Sequence, residues 1–96
     1  MIDLKAEFDK DRAYSFAEMP EPYQLSRRKD LCAFLILDRL MPNNSRDIVE
    51  AAEHDMIYLD ADLDELAQVA TANDIMALQA CGVMYSDHDD SLTMYA

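Results

Sequence analysis

The sequence is poor in the residues that make tight turns and has no tryptophan: one Gly and three Pro occur in 96 residues. A β-sandwich or barrel needs many tight turns, so that composition argues against an all-β fold and for helices joined by short connections. With one glycine there is no phosphate-cradling loop and no G-x-S-x-G elbow. The longest strongly apolar run, Leu31 to Leu37, is too short to span a bilayer. The N-terminus, Met1-Ile2-Asp3-Leu4-Lys5-Ala6-Glu7, lacks the basic and apolar regions of a secretory signal. Only two cysteines are present, Cys32 and Cys81, each in apolar surroundings. They read as buried free thiols in a reducing cytoplasm.

The sharpest absence is of positive charge. All eight Lys and Arg lie in residues 1–46, where eight acids balance them, and none follows Arg46. Residues 47–96 hold the other twelve acids, so the net charge of −12 belongs entirely to the second half. Asymmetry of this kind marks an interaction surface. It weighs against direct binding to nucleic acid, where phosphates call for clustered Lys and Arg. The only basic cluster is Arg27-Arg28-Lys29, read here as a solvated first turn of a helix.

What is present fits one domain over residues 1–96: an irregular N-terminal segment, 1–24, and a compact core, 25–96. About half the residues are apolar, enough to fill one modest core. The expected fold is α+β, mostly helical, with three to four short helices and a small antiparallel sheet that includes a C-terminal hairpin. Ile2, Leu4 and Phe8 fit one side of a short helix starting near Asp3, and Tyr14 to Tyr23 reads as loop. A central helix over 26–40 takes Ser26 as its N-cap, with Leu31, Phe34, Leu35 and Asp38 on one side, while Cys32, Ile36 and Leu37 make its middle apolar nearly all round, the pattern of a helix buried on most sides. Ser45 is expected to cap a second helix ending near His54, with Ile48, Val49 and Ala52 inward and Asp47 in the first turn. Met56-Ile57-Tyr58-Leu59 reads as a strand. Asp60 or Asp62 caps a helix through Leu63, Leu66, Ala67 and Ala70. Thr71 and Asp74 form a capping box for the last helix, which Gly82 closes in a left-handed conformation. Residues 83–95 then make a β-hairpin around Asp87-His88-Asp89-Asp90.

Candidate chemistry is sparse. Asp60-Ala61-Asp62-Leu63-Asp64-Glu65 opens like a calcium loop. Such a loop needs Gly at its sixth position and Glu at its twelfth, and Glu65 and Thr71 stand there. His54-Asp55 and the turn Asp87-His88-Asp89-Asp90 lack metal-ligand spacing. No nucleophile, base and orienter line up. The expectation is therefore no enzyme, no metal and no cofactor. The acids themselves carry the sharper reading. Asp60 and Asp64 are four residues apart, and Asp62 and Glu65 three, spacings that set like charges about 5–6 Å apart at Cβ on a helix. Duplex DNA also presents regularly spaced negative charge. Glu50, Glu53, Asp55, Asp60, Asp62, Asp64, Glu65, Asp87, Asp89 and Asp90 are the candidate partner-binding residues, an array that would imitate that field and occupy a nucleic-acid-binding groove on another protein.

Ala52-Glu53-His54-Asp55-Met56-Ile57-Tyr58-Leu59, Cys81-Gly82-Val83-Met84-Tyr85 and Asp90-Ser91-Leu92-Thr93-Met94-Tyr95 resemble segments of small uncharacterised bacteriophage proteins. In size and acidity the chain is also similar to phage anti-defence proteins, the anti-CRISPR and anti-restriction inhibitors, several of which imitate DNA. That resemblance implies an inhibitor in the host cytoplasm whose partner is a host protein with a basic, nucleic-acid-binding surface. The alternative is a small adaptor that binds a partner, or itself as a homodimer, through Met84, Tyr85, Met94 and Tyr95 of the C-terminal hairpin.

Overall fold

Each helix start is set by a short polar side chain or by the lack of one. Asp3 accepts a hydrogen bond from the Ala6 N–H and opens α1 (Leu4–Asp9). Asp62 accepts from the Glu65 N–H and opens α3 (Leu63–Val69). Thr71 and Asp74 cap each other's backbone at the head of α4 (Ala72–Ala80), the reciprocal box the spacing predicts. Gly82 follows at φ +95°, the left-handed region that favours glycine at a helix end. The central helix, α2 (Lys29–Leu40), is the exception: its N-cap is Arg28, whose side chain makes no capping bond, and the Leu31 N–H donates to Asp30 Oδ1 at 2.8 Å within the first turn. Ser26 instead accepts from the Arg28 N–H at 3.1 Å. That local turn holds residues 26–28 outside the helix, so the expected Ser26 cap is displaced by two residues.

The computed structural model describes residues 1–10, 14–42, 45–88 and 90–95. Four strands complete the α+β fold: β1 (Val49–Glu53), β2 (Met56–Leu59), β3 (Met84–Ser86) and β4 (Ser91–Tyr95). They form one antiparallel sheet in the order β1-β2-β4-β3. Register places Leu59 beside Leu92 and Ile57 beside Met94, with Tyr85 next to Leu92. This face packs on the helices, with Leu66, Ile75, Leu78, Cys32 and Cys81 fully buried against it. Phe8 of α1 meets Tyr85 with ring centroids 6.1 Å apart. The other face carries Met56, Tyr58, Thr93, Tyr95 and Met84. Thr93 is buried between its cross-strand partners Tyr58 and Met84.

Four expectations need correction. Residues 49–53 form strand β1, not part of a helix running to His54. Ile48, Val49 and Ala52 fit helical spacing, but pairing with β2 overrides it. A bulge at Glu50 also breaks the alternation that would have marked a strand. In α2 the buried residues are Cys32, Ala33, Ile36 and Leu37, while Leu31 is 43% exposed and Asp38 exposed. A helix apolar nearly all round does not fix its own rotation; small Cys32 and Ala33 let α4 approach, and that contact decides it. Tyr14 to Tyr23 contains two 3₁₀ turns, Phe16–Glu18 and Glu21–Tyr23, the second with Pro20 at its N-cap and Pro22 in its first positions, where proline is tolerated. Finally, Met94, counted among the binding side chains of the C-terminal hairpin, is buried; β4 lies between β2 and β3, and β3 is the hairpin's strand at the sheet edge.

The first 24 residues join the core: Leu4 and Met19 are buried in it, and Ile2 donates from its N–H to the Ala67 carbonyl at 3.0 Å. Tyr23 donates to Asp74 Oδ1 at 2.7 Å, tying this segment to the cap of α4. No described helix is long and apolar enough to cross a membrane.

Candidate functional site: an acid-rich end of the sheet

Sheet register divides the candidate acids into two groups. Leu59, the last residue of β2, pairs with Leu92, and Ser86 pairs with Ser91. The chain therefore leaves β2 through Asp60 at the same end of the sheet as the β3–β4 turn that carries Asp87 and Asp90. Asp62, Asp64 and Glu65 follow directly as the cap and first turn of α3. Asp60 also donates its N–H to the Ile48 carbonyl at 2.7 Å, which brings the start of β1 to this end. Asp47, Glu50 and Asp60 line one shallow cavity there with Arg46. Thus Glu50, Asp60, Asp62, Asp64, Glu65, Asp87 and Asp90 gather at one end.

Glu53 and Asp55 do not join them. They flank and form the β1–β2 turn, at the opposite end beside Met56 and Tyr95. The length of β2 separates the groups by roughly 10 Å. Asp89 lies outside the described residues. Asp47 belongs to the acidic end and was missed from sequence, because it was assigned to the first turn of a helix that does not form.

Among the described residues, two bases reach the acidic end. Arg46 Nε pairs with Asp60 Oδ2 at 2.9 Å, where the Asp60 side chain is only 11% exposed. Lys5 Nζ lies 3.6 Å from Asp87 Oδ1, with both side chains more than half exposed. The Asp62 carboxylate caps α3, and Asp64 and Glu65 stand at the positive end of that helix dipole. These three acids have no ion pair among the described residues. Local structure fixes their backbone, and their charge remains directed to solvent. The Tyr85 phenol behind the turn is held above its ordinary value by burial, then by the charges of Asp90 and Asp87.

The opposite end has a different character. A cavity of about 460 Å³ opens there between the start of α2 and the sheet, lined by Arg28, Lys29, Asp30, Ile57, Cys81, Gly82, Met94 and Tyr95. Lys29 Nζ stands 6.0 Å from the centre of the Phe16 ring. Burial, then the neighbouring Cys32 thiol, pushes Cys81 up to about 12. Its sulfur is therefore a protonated thiol at neutral pH, a poor nucleophile. Among the described residues no three His, Cys, Asp or Glu side chains are grouped to hold a metal. Acids thus crowd one end of the strands, while the other end mixes Arg28 and Lys29 with Asp30, Glu53 and Asp55.

Comparison of the chain with protein-family models, with curated proteins and with solved structures finds no match.

Proposed function

We propose that this protein is a stoichiometric inhibitor of the phage anti-defence type, acting by binding rather than catalysis. Its acid-rich end occupies the basic, nucleic-acid-binding surface of a host enzyme or defence complex. The observation that carries this reading is the convergence of Asp60, Asp62, Asp64, Glu65, Asp87 and Asp90 at one end of the sheet, with Asp62, Asp64 and Glu65 free of ion pairs among the described residues. Acids held by a helix cap and a hairpin turn form a fixed array, and a fixed array keeps its field complementary to a basic groove without ordering on contact. Such an inhibitor works in the host cytoplasm, where Cys32 and Cys81 stay thiols.

The test is capture of the partner from host lysate, followed by titration at graded salt with duplex DNA as competitor. Affinity should fall steeply as salt rises, and DNA should displace the protein. The combined variant Asp62→Asn, Asp64→Asn and Glu65→Gln should bind roughly tenfold more weakly with its fold unchanged. Salt-insensitive binding would sink the reading.

A second reading rests on the sheet face away from the helices. Tyr95 is 70% exposed there, beside half-buried Met56 and Tyr58, and an adaptor or homodimer contact would use that face. Tyr95→Ser would then abolish binding that the acid variants leave intact.

A further inference from the structure

The sheet has two edges of unequal kind. β3 is three residues long and α1 packs against it. β1 is five residues long, every one of them is exposed, and among the described strands only β2 pairs with it. An edge strand left open presents a row of backbone donors and acceptors to any extended chain of fitting chemistry.

Register identifies which groups face outward. Glu53 and Met56 flank the two-residue turn His54-Asp55 and therefore form a hydrogen-bonded pair. Pairs alternate along an antiparallel ladder, so Ala52 opposite Ile57 is a non-hydrogen-bonded pair, and the Ala52 N–H and C=O point away from β2. Small side chains at Ala51 and Ala52 leave this stretch unobstructed on both faces. Charge then selects the occupant. Glu50 and Glu53 lie on the strand, Asp47 precedes it and Asp55 follows it, with no base between them. A second copy of β1 in antiparallel pairing would bring these like charges together, which opposes self-association.

We propose that the open edge of β1 accepts an extended, Lys- or Arg-bearing segment of the partner as a fifth strand. The inference deepens the reading of a basic partner and rests on it. It adds the mode of recognition: main-chain hydrogen bonds at Ala52, with Glu50 and Glu53 pairing to alternate basic side chains. The edge is continuous with the acid-rich end through Glu50 and Asp47, which share a cavity with Asp60.

The experiment uses the full chain and a short blocked peptide of alternating Lys and Val as the probe. Strand addition should slow hydrogen exchange of the Ala52 amide in the complex by tenfold or more, about the worth of one hydrogen bond. Ala52→Pro removes only an outward N–H, the edge position where proline is tolerated, and should weaken peptide binding roughly tenfold with little change in Tm. Glu50→Lys with Glu53→Lys should abolish binding of the basic peptide. Binding without protection of the Ala52 amide overturns the proposal, a measurement that needs no variant. Binding that Ala52→Pro leaves intact overturns it too. In either case the acid-rich end remains a salt-sensitive site, whereas peptide binding indifferent to salt overturns both readings. Protection of Ala52 in a concentration-dependent dimer without peptide would assign the edge to a second copy instead.

Discussion

At the scale of single residues, Cys81 carries a pH dependence whose sign is fixed. Its thiol ordinarily titrates near 9.0, and in the fold it is pushed up to about 12, by burial first and by Cys32 second. Between those values the native state keeps a proton that the unfolded state has lost. Stability is therefore fully present below pH 9 and declines as pH rises toward 12. Tyr23, raised by burial and then by its hydrogen bond to Asp74, and Tyr85, raised by burial and then by Asp90 and Asp87, act in the same direction above their ordinary value of 10.0. The urea midpoint should fall steadily between pH 8.5 and 11.5 as a result. Cys81→Ala should start less stable, because it opens a cavity, yet decline less steeply with pH, and that slope is the readout. The apolar neighbours of Cys81 made its burial legible in sequence. The proximity of Cys32 was not, because the two cysteines are far apart in sequence and meet only where α2 packs on α4. Asp74 was legible by half: the Thr71 spacing revealed the capping box, while its bond to Tyr23 spans 51 residues and has no local signature.

At the scale of elements, the caps of α3 and α4 and the last hairpin could be read from sequence, and β1 and the start of α2 could not. Thr71, Asp62 and Gly82 act through neighbours within a turn, so their roles travel with the residues. The run Val49-Glu50-Ala51-Ala52-Glu53 carries helical preference and is covered on neither face. Only long-range pairing with β2 makes it a strand. The turn that creates the pairing, His54-Asp55, has no glycine, although His54 stands at φ +56°. That omission hid the hairpin. The start of α2 offers an element-scale prediction. Arg28 sits at its N-cap without a side-chain cap, and a cation there opposes the helix dipole. Arg28→Ser supplies an acceptor at the N-cap, where Arg28 offers none, and removes the opposing charge. It should stabilise the protein by about 1 kcal/mol, seen as a higher urea midpoint with unchanged slope.

At the scale of the whole molecule, the same charges act on folding and on binding with opposite dependence on salt. The count of acids was legible, but their convergence was not, because it depends on the register that puts Leu59 beside Leu92 and so brings Asp60 to the turn of Asp87 and Asp90. A net charge of −12 on a fold with extents of 29 × 28 × 26 Å repels itself, most strongly at the acid-rich end. Exposed charges within that span are screened once the Debye length falls to about 8–10 Å. Raising NaCl from 10 to 200 mM should therefore raise Tm by a few degrees, whereas binding to a basic partner should weaken over the same range. The variant Asp62→Asn, Asp64→Asn and Glu65→Gln links the two effects. Removing three of the least compensated acids should flatten the salt dependence of Tm and of affinity together. If it flattened affinity alone, the acids would matter to the partner and not to self-repulsion. If it flattened Tm alone, the acid-rich end would be a tolerated strain on the fold, and the binding surface would lie elsewhere on the sheet.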